Sequence, residues 1–573
     1  MKIKDIVPVA LGKQQADVLL KNGKIVNVYS GKVEEANIAL FRKRIAGVGD
    51  YTEGKEIIDL KGLYVVPGFI DGHLHIESSM TSPREFARAV LSKGTTTIIA
   101  DPHEITNVLG LRGLQYMIES TEGIPLNVYI AIPSAVPSTS LETSGDRLGP
   151  EDMVSFIDKY PRRIIALGEV MNYPGVLNRD NELITKIEIL RHEYKKIDGH
   201  APGLTGKELN AYIDGFIRSD HESTTAEEAY EKVSRGMQVL IREGTAAKNL
   251  EALVKAVDSS NCRFFSFCTD DREPADIIRE GHIDFLIKKA IRLGLDPITA
   301  IRMATINTAT HYNLRSMGAI APGYKADMVV IDDLKNLNIK MVIKDSRVVA
   351  ENEQMVAPLT GLHEDLPEVL GKVNLPDFSG ADFKIPAGSR KIRVIGMRLG
   401  DLYTDSLVMD ARIEEGSAVA DPEGDLVKVL VFDRHQGKHI SKAFAKGFGI
   451  KRGALATTIG HDAHNLCVMG VDDKDMFIAT KRVQELNGGI VSVIDRKIEA
   501  ELALPIAGLM SDKLLDRVVK ELEEIKKAIH RMGSRGDILM IFHFIQLAVI
   551  PELKLTDRGL VNVAEQRFVE LFV

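Results

Sequence analysis

The sequence predicts an α/β protein in which a (β/α)8 TIM-like barrel is combined with a composite small β-sandwich domain and an additional C-terminal α+β domain. The barrel is predicted because eight short apolar runs alternate with longer helical stretches over residues 63–317, and because polar side chains follow these runs at their C-terminal ends. Parallel strands buried on both faces are continuously apolar, and the functional groups of such a barrel lie at that end. Similar β-rich patterns before and after the barrel predict the composite domain.

The composite domain is predicted to come from two segments, residues 1–62 and residues 318–375. Short apolar runs and polar turns alternate in both segments, and Asn22-Gly23 predicts a hairpin in the first. The simplest account is one β-domain into which the barrel is inserted.

The barrel is predicted to occupy residues 63–317, with one strand in each apolar run. The runs are LYVVPGFIDGHLH, TTTIIADPHE, LNVYIAIPSA, RIIALGEVM, YKKIDGHA, IDGFIRSDHE, MQVLIREG and RFFSFCTDD. After them, ITAIRMATINTATHYNL predicts a single helix that leads back into the composite domain.

The C-terminal domain is predicted to span residues 376–573. It contains strand-like stretches such as KVLVFDR and GGIVSVID, and the charged sequence SDKLLDRVVKELEEIKKAIHRM predicts a long helix. The stretch NLPDFSGADFKIPAG, rich in proline and glycine, is the best linker candidate.

Composition narrows the class of partner. The net charge of -8 gives no reason to expect nucleic acid or an anionic membrane, and no apolar run is long enough to cross a bilayer. The opening residues lack the apolar core of a secretory signal, and three widely spaced cysteines argue against disulfides and against a cysteine-based zinc site. We therefore expect a cytoplasmic protein with a small-molecule substrate, and we expect a homo-oligomer.

The most informative residues are six metal-binding side chains at the ends of the predicted barrel strands. They are His73, His75, Glu169, His200, His221 and Asp270. Residues i and i+2 of a strand face the same side, so the first two histidines can bind one ion while Leu74 packs outward. A His-x-His pair alone is weak, but recurrence of ligands at one rim predicts a metal-dependent hydrolase.

Two nitrogen-rich sites joined by a carboxylate are expected to hold two divalent ions. Such a pair lowers the pKa of a shared water and makes hydroxide available near neutral pH. Imidazole and carboxylate ligands without thiolate suit manganese, iron or zinc and do not distinguish among them. The ion that we expect is Mn²⁺, with Fe²⁺ or Zn²⁺ as the alternatives.

The motifs resemble the amidohydrolase superfamily, whose members pair a (β/α)8 barrel with a small composite β-domain. The resemblance is carried by PGFIDGHLH, by His200, His221 and Asp270 after later strands, and by APGYKADMVVID. Many binuclear members carry a carboxylated lysine after strand four, where this sequence has Glu169. Glu169 at this position, together with the motifs DPHEITNVLG, GHDAHN and LPIAGLMSD, resembles the adenine deaminase family. This resemblance implies conversion of adenine and water to hypoxanthine and ammonia.

The resemblance leads to a hypothesis for the chemistry. One ion is held by His73, His75, Glu169 and Asp270, and the second by Glu169, His200 and His221. Hydroxide between them attacks C6 of adenine, while Asp270 takes its proton and relays it to the leaving amine. A carboxylic acid that protonates N1 is also needed, and Glu222 and Glu104 are the candidates.

Two further clusters remain open to more than one interpretation. The first cluster follows strand two and consists of Asp101, His103 and Glu104. The alternatives for it are contact with the base, binding of an additional ion, and a purely structural polar network. His461 in GHDAHN belongs to a loop that closes over the site and binds substrate, or to a local turn. Cys268 is expected to be a small buried hydrophobe.

Three alternative functions are compatible with parts of the sequence. Another amidohydrolase acting on a different heterocycle or cyclic amide would use the same six metal ligands. A non-catalytic scaffold with the same barrel should lose ligands, whereas the six are present. The zinc deaminases with His-x-Glu and Pro-Cys-x-x-Cys are excluded, because no Cys-x-x-Cys occurs.

Overall fold

A computed structural model describes residues 2–359, 369–371, 373–399, 403–534 and 536–573 of the chain. Residues 360–368 and 372, which the sequence assigns to the composite domain, and residues 400–402 and 535, which it assigns to the C-terminal domain, lie outside the described residues.

The predicted barrel is confirmed, with eight parallel strands in chain order. The strands, numbered here as barrel strands 1 to 8, are Phe69–Leu74, Thr95–Ala100, Asn127–Ile132, Ile164–Val170, Lys196–Gly199, Ser219–Asp220, Gln238–Arg242 and Phe265–Cys268. The Arg218 amide donates to the Ile197 carbonyl (3.0 Å) between strands 5 and 6. The Asp270 amide donates to the His73 carbonyl (3.0 Å) and closes the barrel between strands 8 and 1.

Helices cover the outside of the barrel and bury its apolar strands from a second side. They are Pro83–Ser92, His103–Leu109, Leu111–Glu119, Pro150–Lys159, Tyr173–Leu177, Asn181–His192, Gly206–Asp214, Ala226–Ser234, Leu250–Leu253, Pro274–Arg279 and Ile283–Arg292. The single helix predicted after strand 8 is wrong. Two helices, Pro297–Met303 and Ile306–His311, replace it because Thr305 leaves the helical conformation (φ -141°, ψ -93°).

The composite domain is one nine-stranded sheet built from both flanks of the barrel. Its strands are Ala16–Asn27, Lys32–Phe41, Arg44–Gly49, Gly54–Asp59, Tyr64–Pro67, Met328–Ile331, Ile339–Lys344, Arg347–Glu351 and Gln354–Met355, and the helix Ile3–Ala10 packs beside it. The two flanks meet where Met328–Ile331 pairs antiparallel with Tyr64–Pro67.

The hairpin predicted at Asn22-Gly23 is wrong, because the strand continues through both residues as a bulge. Asn22 has a positive φ of 57°, a conformation that bulges and tight turns both use, so the dipeptide does not distinguish them. A Cβ on Gly23 would lie 2.8 Å from Leu60 Cδ1, which explains the glycine.

The C-terminal domain is built on an eight-stranded sheet with a helix on each face. In spatial order its strands are Thr404–Asp410, Lys391–Met397, Ile440–Lys446, Leu426–Phe432, Leu466–Gly470, Ala454–Thr457, Gly489–Ile494 and Lys497–Ala503. The helices are Asp473–Glu485 and Leu515–Met532, and the second confirms the predicted charged helix. Smaller elements are Ile385–Pro386, Arg412–Glu414, Ser417–Val419, Leu539–His543, Leu553–Thr556, Gly559–Asn562 and Arg567–Phe568.

The predicted linker is part of this domain's core. Leu375 and Phe383 are buried against the Leu426–Phe432 strand, so the stretch that contains them packs as a structural element. Its proline and glycine content reflects a turn and a short 3-10 helix, Gly380–Phe383, and not a free connection.

The C-terminal domain packs on the barrel through hydrogen bonds and an ion pair. The Ser511 amide donates to the Met80 carbonyl (2.9 Å), and the Leu515 amide donates to Glu85 Oε2 (2.9 Å). Lys526 Nζ lies 2.5 Å from Glu273 Oε2 on the barrel. Within the described part of the chain, no helix is both long and apolar enough to span a membrane.

Candidate metal centre

The two histidines of barrel strand 1 point into the barrel mouth, as the strand alternation predicts. His73 and His75 are buried, while Leu74 packs in the outer core between strands and helices. His75 Nδ1 lies 2.8 Å from the Asp101 carbonyl, which only accepts, so Nδ1 carries the proton and Nε2 faces the mouth. A Cβ on Gly72 would lie 2.5 Å from Leu240 Cδ2, so the glycine of the motif lets this strand approach its neighbours.

Glu169 stands at the centre of the mouth, near the end of barrel strand 4. Its amide donates to Asp101 Oδ2 (2.9 Å), and a Cβ on Gly168 would lie 2.3 Å from the same oxygen. The glycine before Glu169 therefore makes room for Asp101, which in turn fixes the backbone that presents the Glu169 carboxylate.

The two oxygens of Glu169 face two different pairs of histidines. Oε1 lies 3.6 Å from His73 Nε2 and 3.4 Å from His75 Nε2. Oε2 lies 2.6 Å from His200 Nδ1 and 3.3 Å from His221 Nε2. One carboxylate thus joins two nitrogen pairs, the arrangement in which a bridging ligand holds two ions.

The charge distribution also fits cations at this position. Burial alone would raise the pKa of Glu169, yet His200 and His221 hold it well below its usual range. Burial opposes protonation of His221, but Glu169 raises the pKa of the imidazole to about 9. The histidine protons supply positive charge that divalent ions displace when they bind.

His73 gives the most direct structural sign of a missing partner. Its side chain is buried, and neither ring nitrogen has a hydrogen bond within the described chain. Such an orphaned buried group is costly unless an unseen partner satisfies it. His73 forms potential ligand groups both with His75 and Glu169 and with His221 and Asp270, so the residues fit a metal centre.

Asp270 follows barrel strand 8 in a left-handed conformation (φ 56°) that turns its carboxylate toward strand 1. Oδ1 lies 3.0 Å from His75 Nε2, and Oδ2 accepts from Arg242 Nη1 at 2.7 Å. Burial would raise the pKa of Asp270, but Arg242 and His75 hold it well below its usual range. Asp270 is therefore an ionised carboxylate beside the candidate metal ligands.

Arg242, at the end of barrel strand 7, is a residue of the candidate site that the sequence pattern did not single out. It pairs with both oxygens of Glu222, with a 2.9 Å contact from Nη2 to Oε2, and its Nη1 also reaches Asp270. Glu222 Oε1 lies 3.7 Å from His200 Nδ1 and 3.5 Å from His221 Nε2. The position of Arg242 at the rim is evident in MQVLIREG, but a guanidinium group does not bind metal ions, so metal-ligand chemistry does not select it.

The six candidate metal ligands, His73, His75, Glu169, His200, His221 and Asp270, are called the cage below. The residues predicted after barrel strand 2 lie in a buried cluster beside it. His103 Nδ1 lies 3.5 Å from Asp101 Oδ1 and 3.7 Å from Glu169 Oε1. His103 Nε2 lies 3.3 Å from Glu104 Oε1. His461 comes from the C-terminal domain of the same chain, and its Nδ1 lies 2.7 Å from Glu104 Oε1.

His464 is a second contact from the GHDAHN loop that the sequence reasoning left out. Its Nε2 hydrogen-bonds Glu104 Oε2 across 360 positions of sequence. Arg434 donates to the His464 carbonyl, and the Asn465 side chain donates to the Thr143 carbonyl (2.8 Å). The loop is therefore held against the barrel mouth by its own chain.

A pocket of about 470 Å³ opens beside the half of the cage that contains His200. His200, Glu222 and Arg242 lie on its inner side, and Tyr173 lies on its barrel wall. The C-terminal domain covers it with Tyr403, Val549, Ile550 and Pro551. This volume is in the usual range for a small-molecule site.

Comparisons with known proteins agree over the whole chain. Residues 64–349 match the amidohydrolase family model, and residues 401–567 match the model of the adenine deaminase C-terminal domain. Proteins named adenine deaminase from Thermosipho africanus (strain TCF52B) and Thermosipho melanesiensis are 62% and 58% identical, each over 100% of both chains. A third from Kosmotoga olearia is 54% identical over 100% of this chain and 99% of its own.

Proposed function

Because the chain belongs to the adenine deaminase family, within the amidohydrolases, we propose that it catalyses the hydrolytic deamination of adenine to hypoxanthine and ammonia. The observation that carries the proposal is Glu169, which joins two histidine pairs at the mouth of the barrel.

We propose that the mouth binds two divalent ions, with Mn²⁺ preferred over Fe²⁺ or Zn²⁺. His73, His75, Glu169 and Asp270 would hold one, and Glu169, His200 and His221 the other. When bound, the ions supply a water of lowered pKa near neutral pH. The orphaned nitrogens of His73 and the donor set of imidazole and carboxylate support this assignment.

Asp270 would act as the general base and acid of the reaction. It is ionised, it lies 3.0 Å from a ligand nitrogen of His75, and it can therefore take a proton from an attacking water and return it to the leaving amine. Arg242 holds the second oxygen of Asp270, so that the first stays directed toward the ligands.

Glu222 would contact the edge of the purine that accepts electron density. It lies on the inner side of the 470 Å³ pocket, between the ligand histidines and open space. Addition at C6 needs a proton or a hydrogen bond at N1, and Glu222 is a carboxyl group of the pocket wall beside the cage. Because it is a carboxylate paired with Arg242, it would first take one proton of the water and then donate that proton to N1, while the second proton of the water passes through Asp270 to the leaving amine. Arg242 would position it through paired hydrogen bonds.

Coarser properties follow from the same comparisons. The protein is a hydrolytic enzyme of a metal-dependent family. Adenine as the substrate is consistent with the match to the adenine deaminase C-terminal domain. We propose that it works in purine salvage in the cytoplasm as a homo-oligomer. We also propose the three-part division at residues 62/63, 317/318 and 375/376, which places all six ligands in one domain.

One assay tests the proposal and separates it from the nearest rival. The chain is purified with Mn²⁺, adenine is added, and loss of adenine and release of ammonia are followed, with adenosine and cytosine as comparison substrates. We expect turnover of adenine and little of the other two. Turnover of another heterocycle without adenine would favour a different amidohydrolase, and loss of metal binding with no turnover would favour a scaffold.

A further inference from the structure

We propose that the chain has an additional divalent-cation site, distinct from the two-ion cage, in which His103 and Glu104 of the barrel and His461 of the C-terminal domain are ligands. The site would join the two domains at a point where they meet. It does not depend on the identity of the substrate.

The geometry centres on one oxygen of Glu104. Oε1 lies 2.7 Å from His461 Nδ1 and 3.3 Å from His103 Nε2. Donor atoms that share one tetrahedral ion at about 2.0–2.2 Å lie roughly 3–3.6 Å from each other. The distance from Glu104 to His103 falls in this range, and the distance from Glu104 to His461 is shorter, so the His461 ring would move slightly outward when an ion binds. All three side chains are at least nine-tenths buried, so their donor atoms lie away from bulk water.

His464 would orient the carboxylate and not bind the ion. Its Nδ1 accepts from the Gly460 amide (3.1 Å), so in the neutral ring Nε2 carries the proton. That N–H donates to Glu104 Oε2 and leaves Oε1 free to bind. Carboxylate ligands are commonly held in this way by a hydrogen bond to the second oxygen.

The unsatisfied atoms around the cluster point the same way. Glu104 Oε1, His103 Nδ1 and Asp101 Oδ1 are buried and form no well-oriented hydrogen bond with any described residue, although Glu104 Oε1 lies close to the two histidine nitrogens given above. A cation on His103 Nε2 would place the proton on Nδ1, 3.5 Å from Asp101 Oδ1, which forms the carboxylate–histidine–metal arrangement. The Asp462 carboxylate is also near, with Oδ1 3.8 Å from His103 Nε2 and with Oδ2 buried and without a hydrogen bond to any described residue.

The space at the cluster separates a cation from a purine. A cavity of about 20 Å³ borders Glu104, His461 and His464. A cavity of about 10–15 Å³ holds one water molecule, so this one admits a single ligand water and excludes a purine ring. The cluster therefore favours an additional ion over contact with the base, while the 470 Å³ pocket remains the place for substrate.

Metal counting tests the site. The full chain is stripped with a chelator, reconstituted with excess Mn²⁺, desalted and analysed by inductively coupled plasma mass spectrometry. We expect three Mn²⁺ per chain in the wild type and two in Glu104→Gln and in His461→Gln. The exposed His439→Ala is the matched control for histidine loss in the same domain and should keep three.

Crystals of the wild type give an independent reading that does not rely on the variants. Anomalous scattering of Mn²⁺ should give a peak between His103, Glu104 and His461, separate from two peaks at the cage. Two ions per chain with no such peak would overturn the site, as would three ions in both variants. Turnover of adenine in a two-ion wild type would leave the proposed function intact.

Discussion

Replacing Glu169 by glutamine tests the centre of the proposed mechanism. The wild-type carboxylate offers one oxygen to His73 and His75 and the other to His200 and His221. Glutamine has nearly the same shape but only one oxygen. Whichever way its amide turns, one half of the cage receives an N–H group that cannot bind a metal ion.

The size of the effect follows from this loss. Changing a residue that merely supports a metal ligand costs about 10–100-fold in metal affinity or activity. Removing a shared ligand should exceed that range, so we expect Glu169→Gln to lower turnover by more than about 100-fold, equivalent to about 2.7 kcal/mol. We also expect the cage to lose at least one of its two ions.

The assay combines metal analysis with ammonia release from adenine on the same protein sample. Glu208→Gln is the matched control, because Glu208 is exposed on the helix after barrel strand 5 and should leave both quantities unchanged. A Glu169→Gln protein with full metal content and full turnover would refute the bridging assignment.

Two further substitutions probe the charges around the cage. Arg242→Met removes the guanidinium shared by Glu222 and Asp270, so we expect the metal-free protein to lose about 3–5 kcal/mol in denaturant unfolding; unchanged stability would contradict a structural ion pair. Asp220→Asn breaks the buried 2.9 Å pair with Lys232, which keeps Glu228 at 2.8 Å as a partner, so we expect a smaller loss of about 1.5–3 kcal/mol at pH 7. Burial opposes ionisation of Asp220, but Lys232 holds the pKa of its carboxyl group below the usual value. The pair therefore stabilises the folded state above about pH 4, and this contribution is lost as the pH falls through the pKa of Asp220 in the folded protein. The wild type and Asp220→Asn should therefore converge in acid unfolding, and a pH-independent difference would count against the pair.

The barrel, and the position of the six candidate ligands at its rim, were predictable from local sequence. Apolar runs mark strands buried on both sides, and residues that follow such strands must meet at one end of a closed barrel. Alternation alone placed His73 and His75 on one face. These features depend on the chain within a few residues of each strand, which is why they survive in the structure.

The missed features depend on contacts between distant segments. Arg242 matters because Glu222 and Asp270, from two other strands, both reach it. His464 matters because its loop lies on Glu104, 360 residues earlier. Asn22-Gly23 fails for a different reason, since a positive φ suits both a hairpin and a bulge, and only the partner strand decides between them.

Glu169 also determines what the cage needs in order to assemble. A carboxylated lysine forms only when carbon dioxide reacts with the amine, whereas Glu169 is a carboxylate as soon as the chain folds, and His200 and His221 keep its pKa low. We therefore expect metal-free protein to regain its ions and its turnover of adenine in carbon dioxide-free buffer at the same rate and to the same level as with added bicarbonate. The rate of recovery, followed by ammonia release after addition of Mn²⁺, measures this directly. Recovery that required bicarbonate would mean that another, modified side chain completes the cage, and the assignment of Glu169 as the bridge would fail.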